Sequence, residues 1–293
     1  MKRILITGAS GFLGSALALH FHEMGYCPSL LLRAASNLHR LKGLESCFEI
    51  GRCSTDQEIR NFVTAVQPDV VIHTACMYGR DGESRLELLE ANVKFGLVIM
   101  QGLLANKKPS TFINTGTVLS SEVSPYALSK SQFTQWGSEV SNRSESLRFV
   151  NVRLQHMYGP GDNLSKFTTH VLHACHRNEP TLKLTAGEQL RDFIYIDDVV
   201  SAYATLLEHC SDFEPFSDIE LGSGIAPTVR HFVETAHALI GSSTELLFGA
   251  VPYRTSEAMH CQAEISRMKA LGWTPKYDLV YGLKKTIELE FSK

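Results

Sequence analysis

The sequence lacks the cysteine patterns of secreted or zinc-binding domains. Its seven cysteines are an odd number, and no CxxC pair occurs. This argues against a disulfide framework or a structural zinc site and favours reduced thiols. Lys and Arg total 28 against 31 Asp and Glu, giving a net charge of -3 without a long basic run. The electrostatic footprint of a nucleic-acid binder is therefore missing, and we expect no such partner.

Long apolar runs are also scarce. The stretch at residues 4–6 ends at Thr7-Gly8, too early for the apolar region of a signal peptide. We expect no run that approaches the length of a membrane span, and hence a cytoplasmic protein without a membrane partner. With 44% hydrophobic and 20% charged residues among 293, the chain can bury a large core. Its length fits one α/β domain with a smaller lobe.

Short apolar runs alternate with helical patterns in the first half. We predict strands at residues 4–6, 29–33, 69–73, 111–114 and 147–153, and helices at 13–24, 55–66, 86–105 and 125–141. This alternation indicates βαβ units and a parallel sheet, and the apolar strands suit a sheet covered on both faces. The rhythm breaks after residues 158–161. The predicted fold is a doubly wound parallel α/β sheet with a smaller, interleaved C-terminal α/β lobe.

A glycine-rich turn follows the first predicted strand and opens the first helix. Gly8, Gly11 and Gly14 allow a tight turn, close approach of a pyrophosphate, and close packing of helix on strand. The helix N-terminus then offers its N–H groups to the phosphates. We therefore predict a Rossmann-type dinucleotide domain at 1–158, with returns near 191–223, and a substrate lobe at 159–293. The predicted cofactor contacts in and near the turn are Gly8, Ser10, Gly11, Phe12, Leu13, Gly14 and Thr74.

The end of the second predicted strand indicates which dinucleotide binds. NAD-binding units usually place an acidic residue there for the ribose 2′-hydroxyl. Arg33 stands at this point, 19 residues after Gly14, and no acid is near. Because an arginine can pair with a 2′-phosphate and stack on adenine, NADP(H) is preferred. The alternative is an arginine that merely faces solvent.

Tyr126 and Lys130 form a YxxxK motif near the start of a predicted helix. This spacing puts both side chains on one face, one turn apart. An ammonium beside a phenol favours the phenolate, so we expect the pKa of Tyr126 to be lowered towards neutrality. A tyrosine tuned in this way can give a proton to a carbonyl or take one from an alcohol.

These motifs together resemble the extended short-chain dehydrogenase/reductase family of nucleotide-sugar enzymes, over nearly the whole chain. Further matching segments follow in family order: 91–93, 152–153, 158–160, 191–198 and 271–275. Within the family, residues 76–80, 114–117 and 162–167 are similar to those of CDP-4-keto-3,6-dideoxyglucose reductases.

The resemblance implies a role for each matching residue. Thr117 would hydrogen-bond the substrate oxygen, Tyr126 would be the acid, and Lys130 would hold the nicotinamide ribose and tune Tyr126. Asn92 would brace the site. The resemblance also implies a nucleotide-sugar substrate, whose diphosphate suits arginine forks. We expect a homodimer, because apolar stripes on the predicted helices can serve as a dimer contact. The implied substrate contacts are Thr117, Arg80, Lys166, Arg191 and Arg254.

Two departures from the family pattern favour reduction. Thr117 and Tyr126 are only nine positions apart, which should open or reshape the substrate pocket. Val118 and Leu119 stand where 4,6-dehydratases carry Asp-Glu, so dehydration is not expected. The expected activity is NADPH-dependent reduction of the 4-keto group of a CDP-4-keto-3,6-dideoxyhexose, in the synthesis of O-antigen sugars. A 4-epimerase with bound NAD and a non-catalytic dinucleotide-binding protein remain alternatives.

Three other features are assigned structural roles. His170, His173 and His176 share a predicted helix, but no nearby carboxylate completes a metal site, and no metal is expected. Cys76 ends a strand and is interpreted as a small packing residue. Asp198 is predicted to cap the helix that follows it.

Overall fold

A computed structural model describes residues 1–254 and 257–292 of the chain. The strands are β1 (Ile4–Thr7), β2 (Ser29–Arg33), β3 (Glu49–Cys53), β4 (Val70–His73), β5 (Ser110–Thr115), β6 (Leu147–Leu154), β7 (His156–Tyr158), β8 (Thr181–Leu184), β9 (Leu190–Arg191), β10 (Phe193–Tyr195), β11 (Phe216–Leu221), β12 (Glu245–Phe248) and β13 (His260–Cys261). The α-helices are α1 (Phe12–Glu23), α2 (Asp56–Val66), α3 (Arg85–Leu89), α4 (Phe95–Ala105), α5 (Pro125–Asn142), α6 (Phe167–His176), α7 (Ile196–Glu208), α8 (Val229–Ile240), α9 (Ser266–Ala270) and α10 (Leu279–Phe291).

The main sheet has seven strands in the order β11-β6-β5-β4-β1-β2-β3. The pairs from β3 across to β6 are all parallel. The chain runs outward from β1 in one direction through β3 and then in the other from β4, so the carboxyl ends of β1 and β4 form the switch point of the sheet. This confirms the predicted Rossmann-type fold. The sequence prediction missed β3, whose mixed polar and apolar pattern reflects its place at the edge.

The chain divides into two compact units. The first comprises Met1–Arg153 and Tyr203–Ile219, and the second comprises Leu154–Ala202 and Glu220–Lys293. In the first unit, Leu5 aligns with Val71, and Phe112 aligns with both Val71 and Phe149 across neighbouring strands, so apolar side chains continue from strand to strand. Phe112 and Phe149 stack with ring centroids 5.5 Å apart. Their burial anchors this core.

In the second unit, three two-stranded parallel sheets pair β7 with β10, β8 with β12, and β9 with β13. Its core is aromatic: Phe193 lies 4.3 Å from Phe232, and Tyr158 lies 5.7 Å from Tyr195, between ring centroids. The assignment of the cofactor to the first part of the chain and of the sugar nucleotide to the second stays a prediction.

The predicted long helix at 86–105 is confirmed as α3, a π-helical turn (Glu90–Lys94) and α4 in direct succession. Within the described residues, this stretch, Arg85–Ala105, is long and apolar enough to cross a membrane. The expectation that no run approaches that length was therefore wrong. Half of its most apolar window is buried inside the protein, and Val98, Ile99 and Leu103 belong to the core. Such burial is typical of a core helix.

Candidate active site

The turn between β1 and α1 carries the glycine motif at the switch point of the sheet. Gly8 has a φ of +73°, and a Cβ there would lie 2.6 Å from both Thr74 Oγ1 and Ala75 N. A Cβ at Gly14 would lie 2.2 Å from the Gly8 carbonyl oxygen. Gly11 is exposed, and its Cβ would meet only that oxygen, at 3.2 Å. Gly8 and Gly14 are thus required for packing of the turn itself, whereas a Cβ at Gly11 would make one close contact, with the Gly8 carbonyl oxygen.

The N-terminus of α1 is open to an anion. Gly11 is its N-cap, no side chain caps it, and no acidic residue lies in its first turn. The nearby helices α2, α3 and α5 are instead capped by Thr55, Ser84 and Ser124. Unpaired N–H groups at a helix start attract phosphate, so the turn fits a dinucleotide pyrophosphate. Of the predicted contacts here, Leu13 is buried, while Ser10 and Phe12 are partly exposed.

Arg33 lies at the carboxyl end of β2 and is exposed. The loop that follows it lines a cavity of about 580 Å³, together with Arg52. The Arg52 guanidinium donates hydrogen bonds to the carbonyls of Ala34 (3.0 Å) and Ser36 (2.8 Å), which fixes the start of this loop.

The same loop carries further basic side chains near the glycine turn. His39 and Lys42 line the cavity, with Glu45 as an acidic neighbour. The Arg40 guanidinium lies 5.8 Å from the centre of the Phe12 ring.

The structure brings Thr117 and Tyr126 together. Thr117 follows β5 and Tyr126 lies in the first turn of α5, where the Thr117 side chain lowers the pKa of Tyr126. Ser124 caps α5 by accepting from Ala127 N at 3.2 Å. Lys130 lies one turn further on and is only 2% exposed.

The pKa of Tyr126 differs from the expectation. Burial raises it well above the ordinary value, and Cys76 raises it further. The Arg80 charge and the Thr117 hydrogen bond lower it, but they do not outweigh burial. The predicted lowering of the Tyr126 pKa towards neutrality is therefore wrong for the protein without bound cofactor. Burial destabilises the phenolate more than Arg80 and Thr117 stabilise it. Burial likewise lowers the pKa of Lys130, an effect that Cys76 opposes.

Asn92 braces the segment after β4. It is fully buried in the π-helical turn, and its Oδ1 accepts from Met77 N at 2.7 Å. Its Nδ2 donates to the Met77 carbonyl and to Ser129 Oγ, each at 2.9 Å. One amide thus ties the segment after β4 to the helix of Tyr126 and Lys130. Single-turn π-bulges are often found at functional sites.

Sequence reasoning missed Tyr78. Its ring centroid lies 4.9 Å from that of Tyr126, with 36° between the planes, and the Arg80 guanidinium lies 5.2 Å from the Tyr78 ring. Tyr78 and Tyr126 are too far apart in sequence for a spacing rule to link them. The available signal was an aromatic residue two positions before Arg80. Cys76 raises the pKa of both Tyr126 and Lys130, and the packing role assigned to it stays a prediction.

His73 is a second residue that the sequence did not single out. It ends β4, is fully buried, and its Nδ1 lies 2.9 Å from Thr7 Oγ1. That hydroxyl also accepts from Ala75 N at 3.3 Å. Burial and then Lys130 hold the pKa of His73 well below its ordinary value, so the ring is neutral.

Of the remaining predicted substrate contacts, Arg80 lies in the first unit. The second unit contains Lys166, Arg191 and Arg254. Lys166 precedes α6, and its Nζ lies 3.0 Å from Oδ2 of the buried Asp162. The nearly buried Arg191 forms an ion pair with Glu257 and donates to the Leu190 carbonyl at 2.8 Å. Arg254 is exposed. Arg191 therefore already holds an anionic partner.

Asp198 and the histidines of α6 have structural partners. The Asp198 carboxylate accepts from Lys276 N (2.8 Å) and Tyr277 N (3.0 Å), so it holds a distant loop, and the predicted helix-capping role is wrong. His173 Nε2 lies 3.0 Å from Glu290, and the ring of His176 stacks on Phe291 at 3.9 Å. Among the described residues, no cluster of three or more His, Cys, Asp or Glu could hold a metal.

Comparison with known proteins identifies the family. Residues 4–222 match the model of the NAD dependent epimerase/dehydratase family. The chain belongs to this family. It is 29% identical over 297 residues to the CDP-abequose synthase of Salmonella typhimurium, covering 97% of each chain. It is 22% identical over 317 residues to GDP-L-fucose synthase 1 of Arabidopsis thaliana, covering 98% of this chain and 92% of that one.

Solved structures share the fold. The UDP-glucose 4-epimerase of Thermotoga maritima, solved with UDP-glucose, superposes with a TM-score of 0.84 at 22% identity, covering 98% of each chain. The UDP-glucose 4-epimerase of Thermus thermophilus, in complex with NAD, gives a TM-score of 0.81 at 21% identity, again covering 98% of each chain. The resemblance stated from the motifs is thus confirmed at the level of family and fold.

Proposed function

We propose that this protein reduces the 4-keto group of a nucleotide-linked deoxysugar with NADPH, the substrate being a CDP-4-keto-3,6-dideoxyhexose. The observation that carries the proposal is that Thr117 and Tyr126 lie close enough for Thr117 to act on the Tyr126 phenol. Thr117 is followed by Val118 and Leu119, which can neither remove nor return a proton as a dehydratase requires. The full-length similarity to a CDP-abequose synthase supports the same substrate class.

The chain's own groups suit the proton half of this reduction. A bound nicotinamide dinucleotide would supply the hydride that forms the new C–H bond at C4. Thr117 hydrogen-bonds the sugar oxygen, and Tyr126 donates its phenolic proton to that oxygen as the C=O bond becomes C–OH. Solvent then reprotonates the phenolate. The buried Lys130 ammonium holds the ribose and stabilises negative charge on Tyr126.

NADPH rather than NADH is the proposed donor. The exposed Arg33 and the cations of the loop that follows support it, because guanidinium and phosphate form charge-assisted hydrogen bonds. Gly8, Gly11 and Gly14 would hold the pyrophosphate, with Thr74 against the turn. We assign Arg80, Lys166, Arg191 and Arg254 to the sugar nucleotide, and place the reaction in the cytoplasmic synthesis of surface-polysaccharide sugars.

The experiment follows NADPH absorbance on mixing the protein with CDP-4-keto-3,6-dideoxyhexose. We expect oxidation of NADPH, reduced about 10²–10⁴-fold in Tyr126→Phe because the proton donor is gone. Tyr281→Phe, on the exposed surface, serves as the matched control. No oxidation by the wild type, or equal rates in wild type and Tyr126→Phe, would contradict the mechanism. Parallel titrations with CDP, UDP, GDP and dTDP identify the base.

A 4-epimerase with retained NAD is the second candidate, because epimerases are among the solved structures of the same fold. It predicts that the purified protein carries NAD and interconverts nucleotide sugars without added NADPH. A non-catalytic dinucleotide-binding protein is the third candidate. It predicts cofactor binding without turnover of any nucleotide sugar, although Tyr126 and Lys130 are both present.

We also propose a homodimer through α3 and α5. These helices expose apolar side chains that a monomer leaves in water, namely Leu86, Leu89, Leu128 and Trp136. Leu128 and Trp136 are eight residues apart and share a helix face. Sedimentation should show a dimer that Trp136→Glu converts to a folded monomer. A monomeric wild type, or a dimer unaffected by the substitution, would contradict this interface.

A further inference from the structure

The segment after β4 forms a wall beside Tyr126. Asn92 fixes its start with two hydrogen bonds to the Met77 backbone, at 2.7 and 2.9 Å. The next residue, Tyr78, places its ring 4.9 Å from the Tyr126 ring. Gly79 has a φ of +70°, a conformation that glycine adopts without strain and that turns the chain here. Arg80 then lies with its guanidinium 5.2 Å from the Tyr78 ring.

The path between Thr117 and Tyr126 on the other side of the phenol is short. Only nine positions separate the two residues, so little chain is available there to pack against the phenol. The ring of Tyr78 provides that packing, in a tilted arrangement within the range of favourable aromatic pairs. Tyr126 is thus held by the Tyr78 ring, and the Thr117 side chain acts on the same phenol.

We propose that Tyr78 is a positioning residue for Tyr126, holding the phenol in reach of Thr117 and carrying Arg80 beside it. The inference rests on the proposed function, because it assigns Tyr78 to the same proton-transfer step. This role of Arg80 comes in addition to contact with the substrate. From its place over the Tyr78 ring, the Arg80 charge would also act on Tyr126.

Charge supports this arrangement. The groups that act on the pKa of Tyr126 are Cys76 and Arg80 from the segment after β4 and Thr117 after β5. Arg80 lowers the pKa of Tyr126, whereas burial and Cys76 raise it. A phenol with a lower pKa is the stronger acid, so Arg80 in this position favours proton donation.

The test compares Tyr78→Leu with Tyr78→Phe. Loss of the ring should lower kcat about 10–100-fold, as small misplacements of catalytic groups do, with the NADPH dissociation constant unchanged. Tyr78→Phe, which keeps the ring, should restore most of the rate. Wild-type kcat in Tyr78→Leu, or equal loss in both variants, would overturn the proposal.

Arg80 is tested by the pH profile. Activity requires protonated Tyr126, so it falls as pH rises through the Tyr126 pKa in the cofactor complex. Arg80→Met raises that pKa and should move the alkaline limb of kcat to higher pH, whereas Arg80→Lys should keep it near the wild-type position. An unmoved limb in Arg80→Met overturns the charge part of the proposal.

A readout without substrate separates this inference from the proposed function. In protein labelled with ¹³Cζ-tyrosine, the Tyr126 resonance is assigned by its loss in Tyr126→Phe. Tyr78→Leu should shift that resonance through loss of the neighbouring ring, and Tyr78→Phe should shift it far less. If the wild type turns over no CDP-sugar but these shifts appear, the proposed function fails and the positioning contact stands. Equal or absent shifts overturn the positioning role.

Discussion

Neighbouring groups shift the pKa of Tyr126 in opposite directions. Its burial and Cys76 raise the pKa, whereas Arg80 and the Thr117 hydrogen bond lower it. The YxxxK spacing alone predicted a lowered pKa because it considered the ammonium and not desolvation. At neutral pH the phenol therefore keeps the proton that reduction of a carbonyl needs, while its raised pKa makes it the weaker acid.

At the residue scale, Arg33 can be tested directly. Arg33→Ala removes the guanidinium at the end of β2, and we expect NADPH binding to weaken about 10–100-fold with NADH binding little changed, because a charged hydrogen bond is lost. Cofactor titration followed by fluorescence measures both constants. Arg143→Ala, an exposed arginine on the far end of α5, is the control. Equal weakening for NADH and NADPH would show that Arg33 does not read the 2′-phosphate.

At the scale of elements, the pattern of apolar residues and the spacing of glycines allowed strands, helices and the first turn to be predicted from the sequence. The strands near residues 4, 29, 69, 111 and 147 and the helices between them follow from local patterns. The edge strand β3 was missed because its side chains alternate in burial less clearly. Tyr78 beside Tyr126 and the loop held by Asp198 depend on contacts between segments distant in sequence. No local pattern encodes such contacts.

The β1–α1 turn yields a prediction at this scale. Gly14→Ala puts a Cβ 2.2 Å from the Gly8 carbonyl oxygen, so both stability and NADPH binding should fall, with overpacking costing about 1–3 kcal/mol. Gly11→Ala meets only that oxygen at 3.2 Å and should nearly keep the melting temperature while weakening NADPH binding. Thermal melts and cofactor titrations measure both. Tight NADPH binding by Gly11→Ala would contradict the assignment of this turn to the pyrophosphate.

At the scale of the whole molecule, two buried neutral histidines connect stability to pH. The pKa of His73 lies well below its ordinary value, and burial, with Arg191, lowers that of His156 from 6.5 to about 4. The unfolded chain takes up these protons more readily than the folded one. Stability is therefore lost as pH falls below about 6.5, the ordinary histidine value.

His156→Phe tests this pH dependence. The buried Nδ1 of His156 has no hydrogen-bond partner within the described chain, and the ring packs 6.0 Å from Phe193, so phenylalanine can replace it. The fall in melting temperature between about pH 7 and pH 5 should be smaller than in wild type. His231→Phe, at an exposed position, should leave the fall unchanged. An identical fall in wild type and His156→Phe would show that this histidine is not linked to acid stability.

The central claim is that the chain transfers hydride to C4 of a nucleotide-linked ketosugar and that Tyr126 completes the alcohol. The most direct measurement supplies NADPH deuterated at its transferable position together with CDP-4-keto-3,6-dideoxyhexose, and locates the label in the product by mass spectrometry and NMR. We expect deuterium at C4, consumption of one NADPH per sugar, and loss of both in Tyr126→Phe. Interconversion of nucleotide sugars without label or net NADPH oxidation would contradict the claim.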